Sequence, residues 1–452
     1  MEKIKQEIES LLENVKAENY EKISALKDCV RLTDYESENG VWTVALQRAL
    51  NEHQVVIIPS SKAPYLIDSS IVIPSNRRII AESDATISLL HSTKLLMMRN
   101  SNTADGTHTR ITKERNVNIS IEGGIWEDWC SYRMGYGRSG LYDLERSFFG
   151  VSCCMLLENV DNLTLKNMVF RNCGGFAVQL GESKNVVIEN IIFENCFADG
   201  LHINGNTENI FISNIRGEVG DDLVAFNMFD WQNSSINFGP CKNVICQDLT
   251  LSRNSYYKAI RIEPGIYTFD DGSQIDCSLG NAIFRRIHNI KTFKLYCQTP
   301  PYAIGAEPEP AGVGSGDNIF FEDIDIDLRS PIDLLSEYTD SHPIKGSFAG
   351  FELGLNVDNI YFKNINITLY REKYPFSYLL CIGPKSVRFE NGDEVFDPYF
   401  SSVAKNVYLE NIKVNGEKPM DISPYIREIV FDKLYDDIPS SASGKIENVI
   451  YK

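Results

Sequence analysis

Residues 185–226 read NVVIENIIFENCFADGLHINGNTENIFISNIRGEVGDDLVAF. This stretch holds two copies of one pattern: Asn, an aliphatic residue, any residue, an apolar residue, any residue, Asn or Asp, and a second aliphatic residue. The copies are NVVIENI from Asn185 and NIFISNI from Asn209. Apolar residues that alternate with polar ones are typical of a β-strand with one buried face. Each copy therefore predicts a short strand followed by a polar corner.

The pattern recurs along most of the chain. Further copies begin at Asn162, Asn243, Asn318, Asn359 and Asn406, with a weaker copy at Asn116. The interval is 23 residues from Asn162 to Asn185 and 24 residues from Asn185 to Asn209, and later intervals are longer. The units lack the LxxLxL pattern and the helical half of leucine-rich repeats, and they are too short for propeller blades.

A unit of about 20–25 residues made of short strands cannot bury its own apolar face, so the units must stack. We therefore predict an all-β fold, a right-handed parallel β-helix (a solenoid). The recurring asparagines suit a ladder in which stacked amides tolerate left-handed backbone geometry. The longer intervals indicate loops inserted at the turns.

The first residues follow a different pattern. Ile4, Ile8, Leu11, Leu12 and Val15 fall on one face of a helix. We predict a helical N-terminal cap over residues 1–55, which covers the open apolar end of the solenoid, and a parallel β-helix catalytic domain over residues 56–452. A homodimer contact through the first helix is the alternative use of its apolar face.

Composition excludes several classes of partner. Lys and Arg number 44 against 62 Asp and Glu, so the formal net charge is −18. This acid excess argues against nucleic acid and against an anionic membrane surface as partners. The N-terminus lacks the apolar run of a secretory signal, and no 18-residue apolar stretch occurs. The 11 cysteines form no CxxC pair, so we predict reduced thiols and a cytoplasmic location.

Alignment of the repeats at the 23-residue step stacks Asp199 on Asp222, with Asp221 alongside. Adjacent rungs lie about 4.8 Å apart, and carboxylates that close repel each other, which raises at least one pKa. Asp beside Gly is also common at solvated turns, but a turn does not explain three acids on one face. We predict catalytic Asp199, Asp221 and Asp222. The predicted substrate-binding residues are the polar and aromatic side chains around them: His202, Asn204, Asn227, Lys258, Arg261, Glu263, Trp231 and Tyr257.

Two short segments resemble the motifs of a known family. Asp199-Gly200 and Gly220-Asp221-Asp222 are similar to the NTDG and DD motifs of the polygalacturonases, glycoside hydrolase family 28, in the pectin-lyase-like β-helix superfamily. The resemblance runs loosely from about residue 40 to about residue 430. It implies that Asp221 is the general acid and that Asp199 and Asp222 activate water for inversion. It implies neither a cofactor nor a metal.

Other family motifs differ in this chain. Tyr257-Lys258-Ala259 stands where the family has Gly-His-Gly. The next coil is predicted at Tyr302–Glu307, where Gly305 and Glu307 replace the Arg and Lys that hold a galacturonate carboxylate in the family. We predict that Lys258 and Arg261 bind the uronate in their place. For a neutral substrate, Arg261 would instead pair with Asp222 or Glu263.

The predicted function is a glycoside hydrolase that cleaves a galacturonate-containing or related plant or microbial oligosaccharide or polysaccharide. An inverting enzyme of this kind has its two carboxyl groups about 6.5–9.5 Å apart. Two other classes stay open. A Ca²⁺-dependent polysaccharide lyase of the pectate-lyase type would use the three aspartates as oxygen ligands. A non-catalytic carbohydrate-binding β-helix would have no need for three acids on one face.

Overall fold

The computed structural model describes residues 2–90, 96–103, 113–128, 153–230, 235–255, 258–297, 311–328, 348–375, 377–383, 387–390, 393–396, 401–428 and 443–452. Two α-helices, α1 (Glu2–Ser24) and α2 (Thr43–Glu52), belong to the N-terminal part. Short 3₁₀ turns span Leu32–Asp34 and Ser423–Tyr425. Neither α-helix of the described residues combines the length and the apolar character of a membrane span.

Nearly all other regular structure in the described residues is β-strand. In chain order the strands are β1 (Cys29–Arg31), β2 (Val55–Ile58), β3 (Tyr65–Ile67), β4 (Ile71–Ile73), β5 (Arg77–Ala81), β6 (Thr86–Leu89), β7 (Met98–Asn100), β8 (Asn116–Glu122), β9 (Ile125–Glu127), β10 (Cys153–Glu158), β11 (Val160–Lys166), β12 (Val169–Arg171), β13 (Phe176–Gly181), β14 (Lys184–Glu194), β15 (Leu201–Asn204), β16 (Thr207–Gly217), β17 (Val224–Asn227), β18 (Cys241–Leu251), β19 (Ala259–Ile262), β20 (Gly265–Thr268), β21 (Gln274–Cys277), β22 (Leu279–Ile290), β23 (Thr292–Tyr296), β24 (Ser315–Leu328), β25 (Phe348–Gly354), β26 (Asn356–Leu369), β27 (Ser377–Ile382), β28 (Val387–Glu390), β29 (Asp393–Phe396), β30 (Ser402–Glu410), β31 (Lys413–Val414), β32 (Ile426–Glu428) and β33 (Gly444–Tyr451).

The strands form two long parallel sheets that run along the solenoid. The first sheet contains the long strands such as β14, β16, β18 and β22. The second sheet, which carries the candidate site, is ordered β4-β7-β10-β13-β15-β17-β19-β23-β25-β27-β32, so neighbours in the chain are neighbours in space. Two antiparallel hairpins, β20–β21 and β28–β29, project from this framework. The structure is a right-handed parallel β-helix, and the predicted fold class is confirmed.

The register of the second sheet confirms the repeat alignment. Val178 lies opposite Leu201, and Leu201 lies opposite Val224. All three side chains are fully buried in the single large core that fills the solenoid. Because side chains alternate along a strand, the residues between these positions face outward. His202 and Ala225 are therefore neighbours on the outer face of the second sheet.

The asparagine ladder is also confirmed. Asn185 donates its amide to Asn162 Oδ1 at 3.1 Å, and Asn209 donates to Asn185 Oδ1 at 2.9 Å. Asn243 extends the row with a 2.9 Å bond to Asn209 Oδ1. These asparagines have φ between 55° and 63°, in the left-handed region that Asn adopts more readily than most residues. The repeated Asn thus makes the corner and bonds one coil to the next.

The two helices have different positions. Helix α2 caps the first coil as predicted, because Leu46, Ala49 and Leu50 pack into the solenoid core. The prediction that the first helix also caps the open end is wrong. Helix α1 lies along the outside of the first sheet, where Ile8 and Leu12 pack against a row of apolar side chains that face outward, Val187, Phe211, Ile245, Ile283 and Phe320.

This row of side chains explains the position of α1. Five coils place an apolar residue on the outer face of the first sheet at the same register position. Exposure of this apolar stripe to water would be unfavourable in free energy. Helix α1 covers the stripe with its own apolar face. Asn19 of α1 also donates to the carbonyl of Asn185 at 2.7 Å. The apolar face of α1 is thus buried within the chain, and the homodimer contact stays an untested prediction.

Candidate active site

The turns that precede β15 and β17 position the carboxylates. The backbone amide of Asp222 donates to Asp199 Oδ1 at 3.1 Å, and the amide of Gly200 donates to the carbonyl of Asp222 at 3.0 Å. Asp199, Asp221 and Asp222 each place one oxygen within 4.8 Å of the other two. The structure therefore brings together the three aspartates that the sequence predicts to be catalytic.

Two glycines allow this close stacking. A Cβ atom on Gly200 would lie 2.7 Å from the carbonyl oxygen of Leu223. A Cβ on Gly220 would lie 2.4 Å from the carbonyl oxygen of Phe197. Neither position can hold a larger residue without a shift of the backbone. The Asp-Gly and Gly-Asp-Asp sequences thus fix the approach of one turn to the next.

The pKa of Asp222 is strongly perturbed. Its side chain is almost fully buried, and burial is the main cause that raises its pKa to about 7. The guanidinium of Arg261 acts in the opposite direction, while the charges of Asp221 and Asp199 raise the pKa further. Among the described residues, Asp222 Oδ1 is buried without a hydrogen-bond partner.

His202 joins the site to a fourth carboxylate. Its Nδ1 lies 2.7 Å from Asp199 Oδ2, and its Nε2 lies 2.9 Å from Asp230 Oδ2. The imidazole is buried and stacks on Phe176 with 3.8 Å between ring centroids. Burial lowers the pKa of His202, but the hydrogen bonds and charges of Asp199 and Asp230 outweigh it and raise the pKa to about 9. At neutral pH the ring is therefore an imidazolium that donates to both carboxylates.

Sequence reasoning missed Asp230. The residue follows β17 by three positions and lies outside the repeat, so the alignment of coils does not single it out. Asn227 Nδ2 also donates to Asp230 Oδ2, at 3.2 Å. Together these contacts fix the carboxylate of Asp230 beside His202.

Arg261 and Glu263 lie on the far side of Asp222. Arg261 Nε donates to Asp222 Oδ2 at 2.9 Å, and its Nη1 lies 3.8 Å from Glu263 Oε2. The side chain of Arg261 is mostly buried, and that of Glu263 is almost fully buried. This is the arrangement expected for the alternative in which Arg261 pairs with the acids of the site. Arg261 therefore supports Asp222 from within the site.

The two predicted asparagines support the site from behind. Asn204 is fully buried, and its Oδ1 accepts from Gln179 Nε2 at 2.8 Å and from the amide of Ile236 at 3.2 Å. Its Nδ2 donates to the carbonyl of Asn227 at 2.9 Å. The polar atoms of Asn204 are therefore used within the protein, and its contact with substrate stays an untested prediction. Asn227 is likewise buried and bonds to Asp230.

The coil that follows Arg261 differs from the prediction. The register places Lys294 of β23 opposite Arg261. Residues Tyr302–Glu307 are therefore not the next coil on this face, and that prediction is wrong. The true coil comes earlier in the chain, because Lys294 follows Arg261 by only 33 residues, after the hairpin β20–β21. Tyr302–Glu307 themselves, and the predicted aromatic residues Trp231 and Tyr257, lie outside the described residues.

The carboxyl groups of the trio approach one another closely. One oxygen of each lies within 4.8 Å of one oxygen of the other two. The separations of about 6.5–9.5 Å for inverting enzymes and about 5–5.5 Å for retaining enzymes refer to whole carboxyl groups, so the spacing of single oxygens does not distinguish the two classes. Three oxygens at this spacing could also contact one Ca²⁺, whose oxygen ligands lie at about 2.3–2.6 Å. The guanidinium of Arg261, which is bonded to Asp222, already supplies positive charge at this point.

Comparison with known proteins supports the fold. Residues 152–287 match the family model described as "Right handed beta helix region". A hyperthermoactive exopolygalacturonase from Thermotoga maritima has a similar structure, with a TM-score of 0.51 and 14% sequence identity, over 98% of this chain and 96% of that chain. No curated protein sequence matches this chain.

Two further structures are similar at lower scores. A family 28 exopolygalacturonase from Yersinia enterocolitica has a TM-score of 0.49 and 13% identity, over 87% of this chain and 79% of that one. The surface adhesin PfbA of Streptococcus pneumoniae has a TM-score of 0.43 and 13% identity, over 85% of this chain and 91% of that one.

Proposed function

We propose that this parallel β-helix is a glycoside hydrolase and that Asp199, Asp221 and Asp222 carry out its chemistry. The observation that supports the proposal is the buried carboxyl of Asp222, whose pKa is raised to about 7 beside two other acids. Such a group of acids holds a proton at neutral pH while other members remain carboxylates. Hydrolysis of a glycosidic bond needs one acid and one carboxylate base.

The burial of the three acids suggests their roles. Asp221 is half-buried, whereas Asp199 and Asp222 are almost fully buried. Asp221, as the most accessible member, would deliver the proton of the trio to the glycosidic oxygen. A water molecule would attack the anomeric carbon as the glycosidic bond breaks, and Asp199 or Asp222 would accept the proton that the water loses. The trio thus regains its proton at the end of each cycle.

The partners of the two buried acids suit water activation. His202 holds Asp199, and Arg261 holds Asp222, each through one carboxylate oxygen. A carboxylate fixed in this way is oriented to accept a proton. It is poorly placed for covalent attack, because a nucleophile must itself contact the anomeric carbon. These contacts favour a single displacement by water, with inversion of the anomeric configuration.

A uronate-containing oligosaccharide is the substrate class we propose. Lysine side chains extend the site on the coils that follow Asp222, in a protein whose overall charge is −18. Local cations in an acidic protein favour a substrate that carries its own negative charge. The fold shared with an exopolygalacturonase is consistent with a galacturonate-containing substrate but supports only the fold.

The experiment is a screen of oligosaccharides with and without uronate units, with products identified by mass spectrometry. We expect new reducing ends and products that together contain one added water per bond cleaved. Wild type is compared with Asp221→Asn, which removes the proposed acid. If no member of a broad panel is cleaved by the wild type, the proposal is wrong and the protein is a binding module.

A Ca²⁺-dependent lyase is the second candidate, because the oxygens of the trio have the spacing of cation ligands. A lyase breaks the bond by elimination, so its products gain no water and one of them carries a C=C double bond. If the activity needs added Ca²⁺, is lost when a chelator is added and yields unsaturated products, the protein is a lyase. If the activity persists in chelator and each cleaved bond gains one water, the protein is a hydrolase.

A further inference from the structure

Three buried cysteines form a column at one corner of the solenoid. Phe170 lies opposite Phe193, and the same register three residues later places Cys173 beside Cys196 on the next coil. The thiol of Cys173 shares hydrogen bonds with the thiols of Cys154 and Cys196. Cys154 and Cys173 are fully buried, Cys196 is 4% exposed, and all three are free cysteines. Three thiols are therefore in contact inside the protein.

A carboxylate lies beside this column. Asp128, Cys154 and Cys173 each place one possible ligand atom within 4.8 Å of the other two. The backbone amide of Gly174 donates to both carboxylate oxygens of Asp128, at 3.2 and 3.3 Å, which holds the carboxylate at this corner. Asp128 is half-buried, so the cluster lies at the edge of the core. The corner thus combines three thiols with one carboxylate.

The spacing of these donors is close to that of a zinc site. Zn²⁺ takes four ligands in a tetrahedron, with thiolate sulfur at about 2.3 Å and carboxylate oxygen at about 2.0–2.2 Å, so the ligand atoms of one site lie about 3.6–3.8 Å apart. Asp128, Cys154 and Cys173 are within 4.8 Å of one another, so shifts of about 1 Å would bring them to this spacing. Cys196, in contact with Cys173, supplies the fourth donor.

The mixture of donors selects among metals. Mg²⁺ and Ca²⁺ take oxygen ligands, whereas thiolates favour Zn²⁺ and Cu⁺. A carboxylate is a harder donor and suits Zn²⁺ better than Cu⁺. Buried cysteines alone would be explained as small core residues, but core packing does not explain the carboxylate of Asp128 beside them. Three thiolates and one carboxylate leave no position for water, which is typical of a structural zinc site.

A cation at this corner would connect distant parts of the chain. Asp128 and Cys154 are 26 positions apart in the sequence, and a bond that closes a segment of this length restricts the unfolded chain. Cys196 precedes Asp199 by three residues in the turn before β15. The amide of Phe197 in this turn donates to the carbonyl of Cys173 at 2.8 Å. The cation would therefore add a second connection between the two coils at this turn.

We propose that Asp128, Cys154, Cys173 and Cys196 bind one Zn²⁺, which stabilises the fold and fixes the turn that leads to Asp199. On binding, the three thiols become thiolates and release three protons to solvent. The proposal uses none of the three aspartates of the candidate active site as ligands. It is therefore independent of the proposed hydrolase.

Metal analysis of protein expressed in medium supplemented with Zn²⁺ or Co²⁺ tests this proposal. Expression with the metal allows a buried site to fill as the chain folds. All proteins carry Cys29→Ser, which removes an exposed thiol. We expect one Zn²⁺ per chain after dialysis. The Co²⁺ form should show thiolate-to-metal charge-transfer bands and the visible bands of a tetrahedral site, and protein from zinc-depleted medium should unfold at a lower temperature.

The variants locate the metal. Cys173→Ser and Asp128→Asn should each lower the affinity for Zn²⁺ at least about 10-fold in competition with a chelator, because loss of a partner of a ligand already costs about 10–100-fold. If Cys173→Ser does not fold, Asp128→Asn decides, since Asp128 is half-buried. Cys246→Ser is the matched control, because Cys246 is a fully buried cysteine of β18 in the same core. Both Cys246→Ser and Asp222→Asn should keep the metal.

Four results would overturn the proposal. The first is protein without bound Zn²⁺ and without the Co²⁺ bands. The second is equal affinity for Zn²⁺ in Asp128→Asn and Cys246→Ser. The third is loss of the metal in Asp222→Asn, which would place it at the aspartates of the candidate active site. The fourth is a disulfide between Cys173 and Cys196 in peptide mapping of the protein as purified. Equal stability of the zinc-loaded and zinc-depleted proteins would overturn the stabilising role.

Discussion

Arg261 Nε lies 2.9 Å from Asp222 Oδ2, and both side chains are largely buried. The guanidinium lowers the pKa of a carboxyl that burial and two neighbouring acids raise to about 7. Without Arg261 this carboxyl would hold its proton to still higher pH. The ion pair therefore limits how far the pKa of Asp222 is raised.

The first prediction concerns Arg261→Ala. We expect turnover to fall about 10-fold or more, because Asp222 loses a charge-assisted hydrogen bond. In the pH profile of turnover, the rise in activity that requires ionised Asp222 should move to higher pH. The preference for acidic over neutral substrates should change little, since Arg261 is used within the site. Turnover against pH on both substrates measures this, and a selective loss of the acidic substrate would contradict it.

The second prediction concerns the three aspartates. Asp199→Asn, Asp221→Asn and Asp222→Asn should each lower turnover by at least about 10², as expected when an acid or base group is lost. Circular dichroism should show an unchanged β-sheet signal for all three. Asp270→Asn, an exposed acid beside the hairpin β20–β21, is the control and should keep full activity. Wild-type turnover in all three variants would make the trio structural.

The sequence predicts those parts of the site that follow the repeat. Asp199, Asp222 and Lys258 each lie two residues before an inward aliphatic residue, so one alignment stacks them, and the register agrees. Asp230 lies in a loop after β17. The repeat pattern does not predict the direction of a side chain in a loop. Lys294 was missed because the spacing of the coils is irregular here: 36 residues separate Ala225 from Arg261, and 33 separate Arg261 from Lys294.

The position of α1 could not be derived for a related reason. The apolar face of the helix is evident from the spacing of Ile8 and Leu12, but its partner is the outer face of a sheet. That stripe, for example Phe211 and Ile245, is in each copy the middle one of three consecutive apolar residues. Such runs do not reveal which side chains face the core and which face outward.

The third prediction concerns stability and Asp222. A carboxyl with a pKa near 7 when folded and near 3.8 when unfolded binds more protons in the folded state between these values. The free energy of unfolding should therefore fall as pH rises from about 4 to about 7, by at most about 4 kcal/mol from this group. Asp222→Asn should remove this contribution. Urea unfolding across this range, with Asp270→Asn as the control, measures the difference.

The fourth prediction concerns His202. Its pKa is raised from 6.5 to about 9 by Asp199 and Asp230, so its stabilising effect is fully present below about pH 6.5 and is lost as pH rises through about 9. His202→Gln should be less stable than wild type at pH 6, and the difference should shrink by pH 10. Asp230→Asn should lower the pKa of the imidazole, which an NMR titration of the ring measures. An imidazole that titrates at the same pH in both proteins would contradict the contact with Asp230.

The fifth prediction concerns the configuration of the product. The nearest oxygens of the trio lie within 4.8 Å of one another, and this spacing alone does not distinguish the retaining from the inverting geometry. A retaining enzyme, however, needs a carboxylate that reaches the anomeric carbon. Asp199 and Asp222 are both less than 5% exposed, and each has one oxygen bonded to His202 or Arg261.

A water molecule is small enough to reach a buried carboxylate that a sugar ring cannot reach. We therefore expect the first product formed to have the inverted configuration, as observed by NMR of the anomeric proton before mutarotation. Methanol added as a competing acceptor should yield no glycoside of retained configuration, because no glycosyl-enzyme intermediate forms. A product of retained configuration, or a glycosylated Asp199 or Asp222 detected by mass spectrometry, would show that the two partners leave a carboxylate free to attack.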